Sequence, residues 1–235
     1  MKNKKYILTD QTIKVGEKRL YRIKAVKSFG DVKEGEFGGF IESEKNLSQF
    51  GNAWVSLSAK VFGDAKVYQN AQVFGYAQVF GNAKVSGDAQ VYGNAQVFGN
   101  AKVFGYAEIS GDAEISGNAR ISGDAQVYGN AQVFGNAEVF GYAEISGDAE
   151  VFGEAEVSGD AQVSGDAQVS GDAQVYGNAL ISGNAMVYDN AEISGDARVF
   201  DNARIFGNAS VSGKAKIFDE DKISGDAKVF ETPWV

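Results

Sequence analysis

The side chains able to do acid–base, nucleophilic or metal chemistry are few in kind. The 235 residues contain no His and no Cys. Imidazole bases, imidazole ligands, thiolate nucleophiles, zinc–thiolate sites and disulfides are therefore excluded. What remains is carboxylate, 31 Asp and Glu in all. Many of these recur at fixed places in a six-residue pattern, with some departures. Glu154, in FGEAEV, stands where the pattern has Asn or Asp, and a carboxylate there could serve as a general base. A tolerated surface variant is the simpler reading, so no catalytic residue is assigned. Calcium-binding solenoid repeats converge several oxygens on each ion with a nine-residue spacing. Here a single Asp or Asn falls at each six-residue corner, which reads as turn chemistry with a side-chain-to-backbone hydrogen bond. No metal site and no resident cofactor are expected. Thr9, Thr12 and Thr232 are the only threonines, too few for the flat threonine ranks of an ice-binding surface.

The element that must position every one of these groups is the repeat. From Phe50 to Val235 the chain divides into 31 consecutive hexads without insertion or deletion, such as FGDAKV at 62–67 and YGNAQV at 92–97. Position one is Phe, Tyr or Ser, two is Gly, three is Asn or Asp, four is Ala, five is polar and six is Val or Ile. Ala and Val share one face of a short strand, while the residues between them point outward. The Gly-Asn and Gly-Asp steps tolerate positive φ and turn the chain. So short a strand cannot bury its apolar face alone, so successive coils must stack. Three hexads make a triangular coil, which predicts about ten coils over roughly 50 Å at ~4.8 Å each. Residues 92–115 recur at 128–151 with only Lys102 and Ile115 exchanged, for Glu138 and Val151. That offset of six hexads suits two coils of three hexads, and equally three coils of two.

Outside the repeat, residues 1–49 alternate apolar and polar stretches (YILTD, TIKV, RLYRIKAV) between VGEK and FGDVKEGEFGG turns. They read as a small β-rich cap over the first coil, with Trp54 in the first full hexad. Toward the other end the pattern decays. Asp221 takes a core Ala position, and Pro233 falls in the last hexad, where it blocks further strand pairing. The division is thus a capping segment, 1–49, and a solenoid, 50–235.

Residues 1–33 carry a net charge of +7, residues 34–235 one of −16, and the whole chain −9. Between Arg120 and Arg198 there are thirteen Asp and Glu and no Lys or Arg. Such a surface repels nucleic acid, so direct DNA or RNA binding is not expected. No apolar run is long enough for a signal peptide or a membrane span, and a cytoplasmic, cysteine-free protein is the default expectation. Phe and Tyr at position one (Phe62, Tyr68, Phe74, Phe80, Tyr92, Phe98, Phe104) point outward beside Ser. Tyr76, Tyr106 and Tyr142 sit at corners. Rows of rings can brace the solenoid or offer a surface to a protein partner or a second copy.

The V-x-G-N/D-A repeat resembles the hexapeptide repeat of left-handed parallel β-helices, the fold of many acyltransferases and of gamma-class carbonic anhydrases. With the segment RLYRIKAVKSFGDVKEGEFGGFIESEKNLSQFGNAWV (19–55), it resembles the bacterial and phage YdcK-like hexapeptide-repeat proteins, which are catalogued as acyltransferases on the strength of fold. The resemblance implies an all-β, left-handed triangular solenoid with a β-rich N-terminal cap. It also implies, as an alternative function, acyl transfer from acyl-coenzyme A. Those transferases use a histidine base and acceptor-binding loops, and this chain has neither. The carbonic anhydrases need three histidine zinc ligands. The leading expectation is therefore a non-catalytic structural or binding protein with acidic, aromatic-rich faces, of phage or bacterial origin. One form of it is a nucleic-acid mimic that occupies a basic groove of its partner.

Overall fold

A computed structural model describes residues 4–230. The chain forms two compact units, 1–117 and 118–235, each built from β-structure with no helix among the described residues. It follows that no helix there is long and apolar enough to cross a membrane.

The first unit opens with β1 (Tyr6–Val15), β2 (Lys18–Ala25) and β3 (Phe37–Ile41), which pair antiparallel in that order. Strand β3 has a second partner on its other edge. Its Phe40 and Ile41 lie parallel to Lys60 and Val61, joining the cap to the solenoid. Trp54 is buried beneath it, edge-on to Tyr6 at 6.3 Å and to Phe29 at 5.4 Å. Lys5 is also buried, and its ammonium donates to the carbonyls of Gly51 at 3.2 Å and Ala53 at 2.7 Å. A charged side chain thus satisfies carbonyls that the first coil turns toward the cap. Burial, with the charge of Lys27 adding to it, lowers the Lys5 pKa from 10.5 to about 8. The Tyr6 hydroxyl donates to the Leu47 carbonyl at 2.7 Å, and its burial raises its pKa well above the usual phenol value.

After the cap, strands of two residues recur every hexad and pair in parallel with the strand three hexads on. One sheet of this unit holds Lys60–Val61, Gln78–Val79, Gln96–Val97 and Glu114–Ile115. A second holds Trp54–Val55, Gln72–Val73, Gln90–Val91 and Glu108–Ile109. The third holds Lys66–Val67, Lys84–Val85 and Lys102–Val103. The coil is therefore three hexads long and three-sided, which removes the two-hexad alternative. The second unit repeats the arrangement, with Glu138 opposite Glu156, Glu144 opposite Gln162 and Glu150 opposite Gln168 on its three sheets.

The core is as the hexad predicts. Ala at position four and Val or Ile at position six are fully buried from Ala53 to Val211. Three alanines and three β-branched residues fill each such coil. The glycine at position two has a double cause. Gly135 has φ +73°, and a Cβ there would lie 2.9 Å from the backbone N and O of Gly153. Among the described residues five non-glycines take positive φ, all at position two: Leu57, Gln69, Asp189, Asp201 and Asp219. Three of their side chains bond to a neighbouring coil. Gln69 Oε1 accepts from Gly87 N at 2.7 Å, Asp189 Oδ2 from Gly207 N at 3.1 Å, and Asp201 Oδ2 from Asp219 N at 3.4 Å. Near the end of the described chain Asp221 is exposed rather than buried, and Ala227 with it. Pro233 and Trp234 lie outside the described residues.

Candidate interaction surface

Because coils stack in register, each surface position of the hexad becomes a column running from coil to coil. The corner columns are held together by amides. Asn82 Nδ2 donates to Asn100 Oδ1 at 3.0 Å, Asn94 to Asp112 at 2.9 Å and Asn130 to Asp148 at 2.7 Å. These rungs run side chain to side chain, where turn chemistry leads one to expect side chain to backbone, a kind also present as Asn52 N donating to Asn70 Oδ1 at 3.4 Å. The reason is spacing: at one coil apart a carboxamide reaches its neighbour, and Asn can both give and accept while Asp only accepts. Glu154 belongs to such a column, accepting from Asn136 Nδ2 at 3.5 Å in an exposed position.

Position one carries the aromatic columns. Phe62, Phe80 and Phe98 stack with centroids 5.1 and 4.9 Å apart and planes within 3°. In the second unit Phe134 stacks on Phe152 at 4.9 Å. Where the residue is Tyr, its hydroxyl can donate to the position-five Glu of the next coil. Tyr128 does so to Glu144 at 2.5 Å, Tyr176 to Glu192 and Tyr92 to Glu108 at 3.4 Å. The hydrogen bond to the carboxylate, with burial, raises the Tyr128 pKa, and the bond to Glu192 does the same for Tyr176. The rings therefore brace the solenoid, while corner residues Tyr76, Tyr106 and Tyr142 stand exposed.

Position five holds the charges, and here the two units differ. On the third sheet of the first unit Lys66, Lys84 and Lys102 are directly opposed, strand to strand, and exposed. On the second unit's corresponding sheet Arg120 opposes Glu138, with an ion pair at 3.0 Å, and Glu138 opposes Glu156. The acidic stretch was legible in linear order. The lysine column was not, since its members are three hexads apart and separated by Asp88 and many neutral residues. Reading position five of every third hexad would have found it. Among the described residues, no three His, Cys, Asp or Glu side chains gather to hold a metal ion.

The profile of the YdcK Beta solenoid repeat matches residues 77–93, 113–129, 161–177 and 173–188. These stretches lie in both units, and in each the parallel three-hexad coil is the structure observed. No curated protein matches the chain.

Proposed function

We propose that this YdcK-type solenoid is a non-catalytic binding protein whose acidic, aromatic-rich faces engage a basic macromolecular partner. The observation that carries the reading is the density of carboxylates in the second unit. Residues 121–197 contain thirteen Asp and Glu and no Lys or Arg, and Glu138 faces Glu156 in register. Like charges directly opposed across strands are destabilising, and a polycationic surface would relieve that repulsion on contact. Elsewhere the position-five Glu alternates with Gln, as Glu144 with Gln162 and Glu150 with Gln168, so the faces present an anionic array interrupted by amides. A groove that normally holds nucleic-acid phosphates is the partner surface such an array fits, which makes competition with nucleic acid the finer reading.

The test is displacement of a labelled DNA duplex from a basic DNA-binding domain, followed by fluorescence anisotropy at increasing salt. The chain should displace the duplex at low salt and lose the ability steeply as screening rises. Glu138→Gln/Glu150→Gln/Glu156→Gln should compete about tenfold less well. No displacement, or equal displacement by the neutralised variant, refutes the reading.

A further inference from the structure

The lysine column borders a recess that the binding role above does not use. On the first unit's third sheet the position-one residues in order are Tyr68, Ser86 and Phe104. On the first sheet of that unit the equivalent three are Phe62, Phe80 and Phe98, whose middle ring sits about midway between the outer two, at 5.1 and 4.9 Å. Replacing the middle ring by serine leaves a gap one ring thick between two aromatic side chains. The space is present as a cavity of about 350 Å³ lined by Tyr68, Gln69, Lys84, Ser86, Lys102 and Phe104. That volume lies within the range of small-molecule sites. Ser86 at its floor is buried. Gln69 is held in place beside it by its bond to Gly87 N, with φ +61° at a position where glycine is the rule.

The charge of the recess is as particular as its shape. Tyr92 and Tyr128 each donate to a position-five Glu of the next coil. For Tyr68 the residue at the same offset is Lys84. Lys84 and Lys102 stand directly opposed, an arrangement that costs stability unless an anion lies between or beside them.

We infer that the Tyr68–Ser86–Phe104 recess is a binding slot for a planar aromatic ring bearing an anionic group. The ring completes the interrupted column, stacked between Tyr68 and Phe104 as Phe80 is between its neighbours. The anionic group faces Lys84 and Lys102. Aromatic carboxylates and nucleoside monophosphates share this chemistry. Stacking supplies the selectivity for a ring, and the two ammonium groups supply that for negative charge.

The experiment is calorimetric titration of the intact chain at low ionic strength with 1-naphthalenesulfonate, and with methanesulfonate as an anion without a ring. One ring-bearing anion should bind per chain, and methanesulfonate should not. Ser86→Phe fills the gap with the chain's own ring and should abolish binding. Ser158→Phe, the same change between Phe140 and Tyr176 in a column with Glu156 instead of lysines, should leave it unchanged. Lys84→Gln/Lys102→Gln should weaken it about tenfold. Circular dichroism of each variant separates lost binding from lost folding. Adenosine monophosphate and benzoate then name the source, the tighter of the two identifying it. The inference is overturned if the wild type binds no naphthalenesulfonate, if Ser86→Phe folds and binds as the wild type does, or if methanesulfonate binds as tightly. Failure of the acidic array in the DNA-displacement test would leave this result untouched, since none of its carboxylates lines the recess.

Discussion

Residues 92–115 and 128–151 are nearly the same peptide, one in each unit, and they fold alike. At position five of one hexad the first has Lys102, which continues a column of opposed lysines. The second has Glu138, which pairs with Arg120 on one side and opposes Glu156 on the other. The strands flanking both are two residues long, and Val103 and Val139 beneath them are equally buried. Charge of either sign is thus carried by the same scaffold. The inward Ala and Val and the turn residue decide the fold, which leaves position five free to vary in charge.

That comparison breaks first if the inner positions are less alike than they look. Val103→Asp and Val139→Asp each bury an unpaired carboxylate and should cost about 4 kcal/mol or more. Chemical denaturation should show the two losses equal within about 0.5 kcal/mol, and a clear inequality would mean that the units differ inside as well as outside. A second test contrasts these outer charges with Lys5, whose charge is buried. Lys5 has its folded pKa lowered from 10.5 to about 8, so its charged form carries a penalty in the native state below that pH. Between about pH 8 and 10 the native state releases this proton before the unfolded chain does, and stability rises with pH. Thermal melts should therefore show wild type gaining on Lys5→Met over that window, by roughly 1–3 kcal/mol at most. No change in the gap would mean that the ammonium is well solvated. Third, Gly135→Ala forces a Cβ to 2.9 Å from Gly153 N at a φ of +73°, and should cost about 1–3 kcal/mol by denaturant unfolding. The smallest effect addresses the columns themselves. Lys84→Glu sets an acid between Lys66 and Lys102, and Glu156→Lys sets a base beside Glu138, its other neighbour being the neutral Gln174; each should raise stability by about 0.5 kcal/mol at low salt. Added salt should erase both gains.

How legible all this was in the residues varies by position. Ala101 and Val103 announce a buried face because their alternation is strict, and Gly99 announces a turn because little else accepts its φ of +67°. The cap was legible as alternating strands around Trp54. The amide rungs from Asn82 to Asn100 and from Asn94 to Asp112 were missed, because they run between coils and have no counterpart within a hexad. The positive φ of Gln69 was missed for a related reason, since its support is a bond to Gly87 one coil away. Glu154 stood out in one dimension, yet its place in three is an ordinary rung of a corner column.

Short strands that must bury Ala and Val, joined by turns only glycine-like conformations permit, leave a repeating chain little choice but to stack coil upon coil. The sequence alone determined that much, because those constraints are local and recur in every hexad. Which residues become neighbours across coils was decided by the tertiary structure, through a register of three hexads where two were equally compatible with the internal duplication. Only that register lines up Lys66 with Lys84 and Lys102, sets Glu138 against Glu156, and opens a ring-sized gap over Ser86.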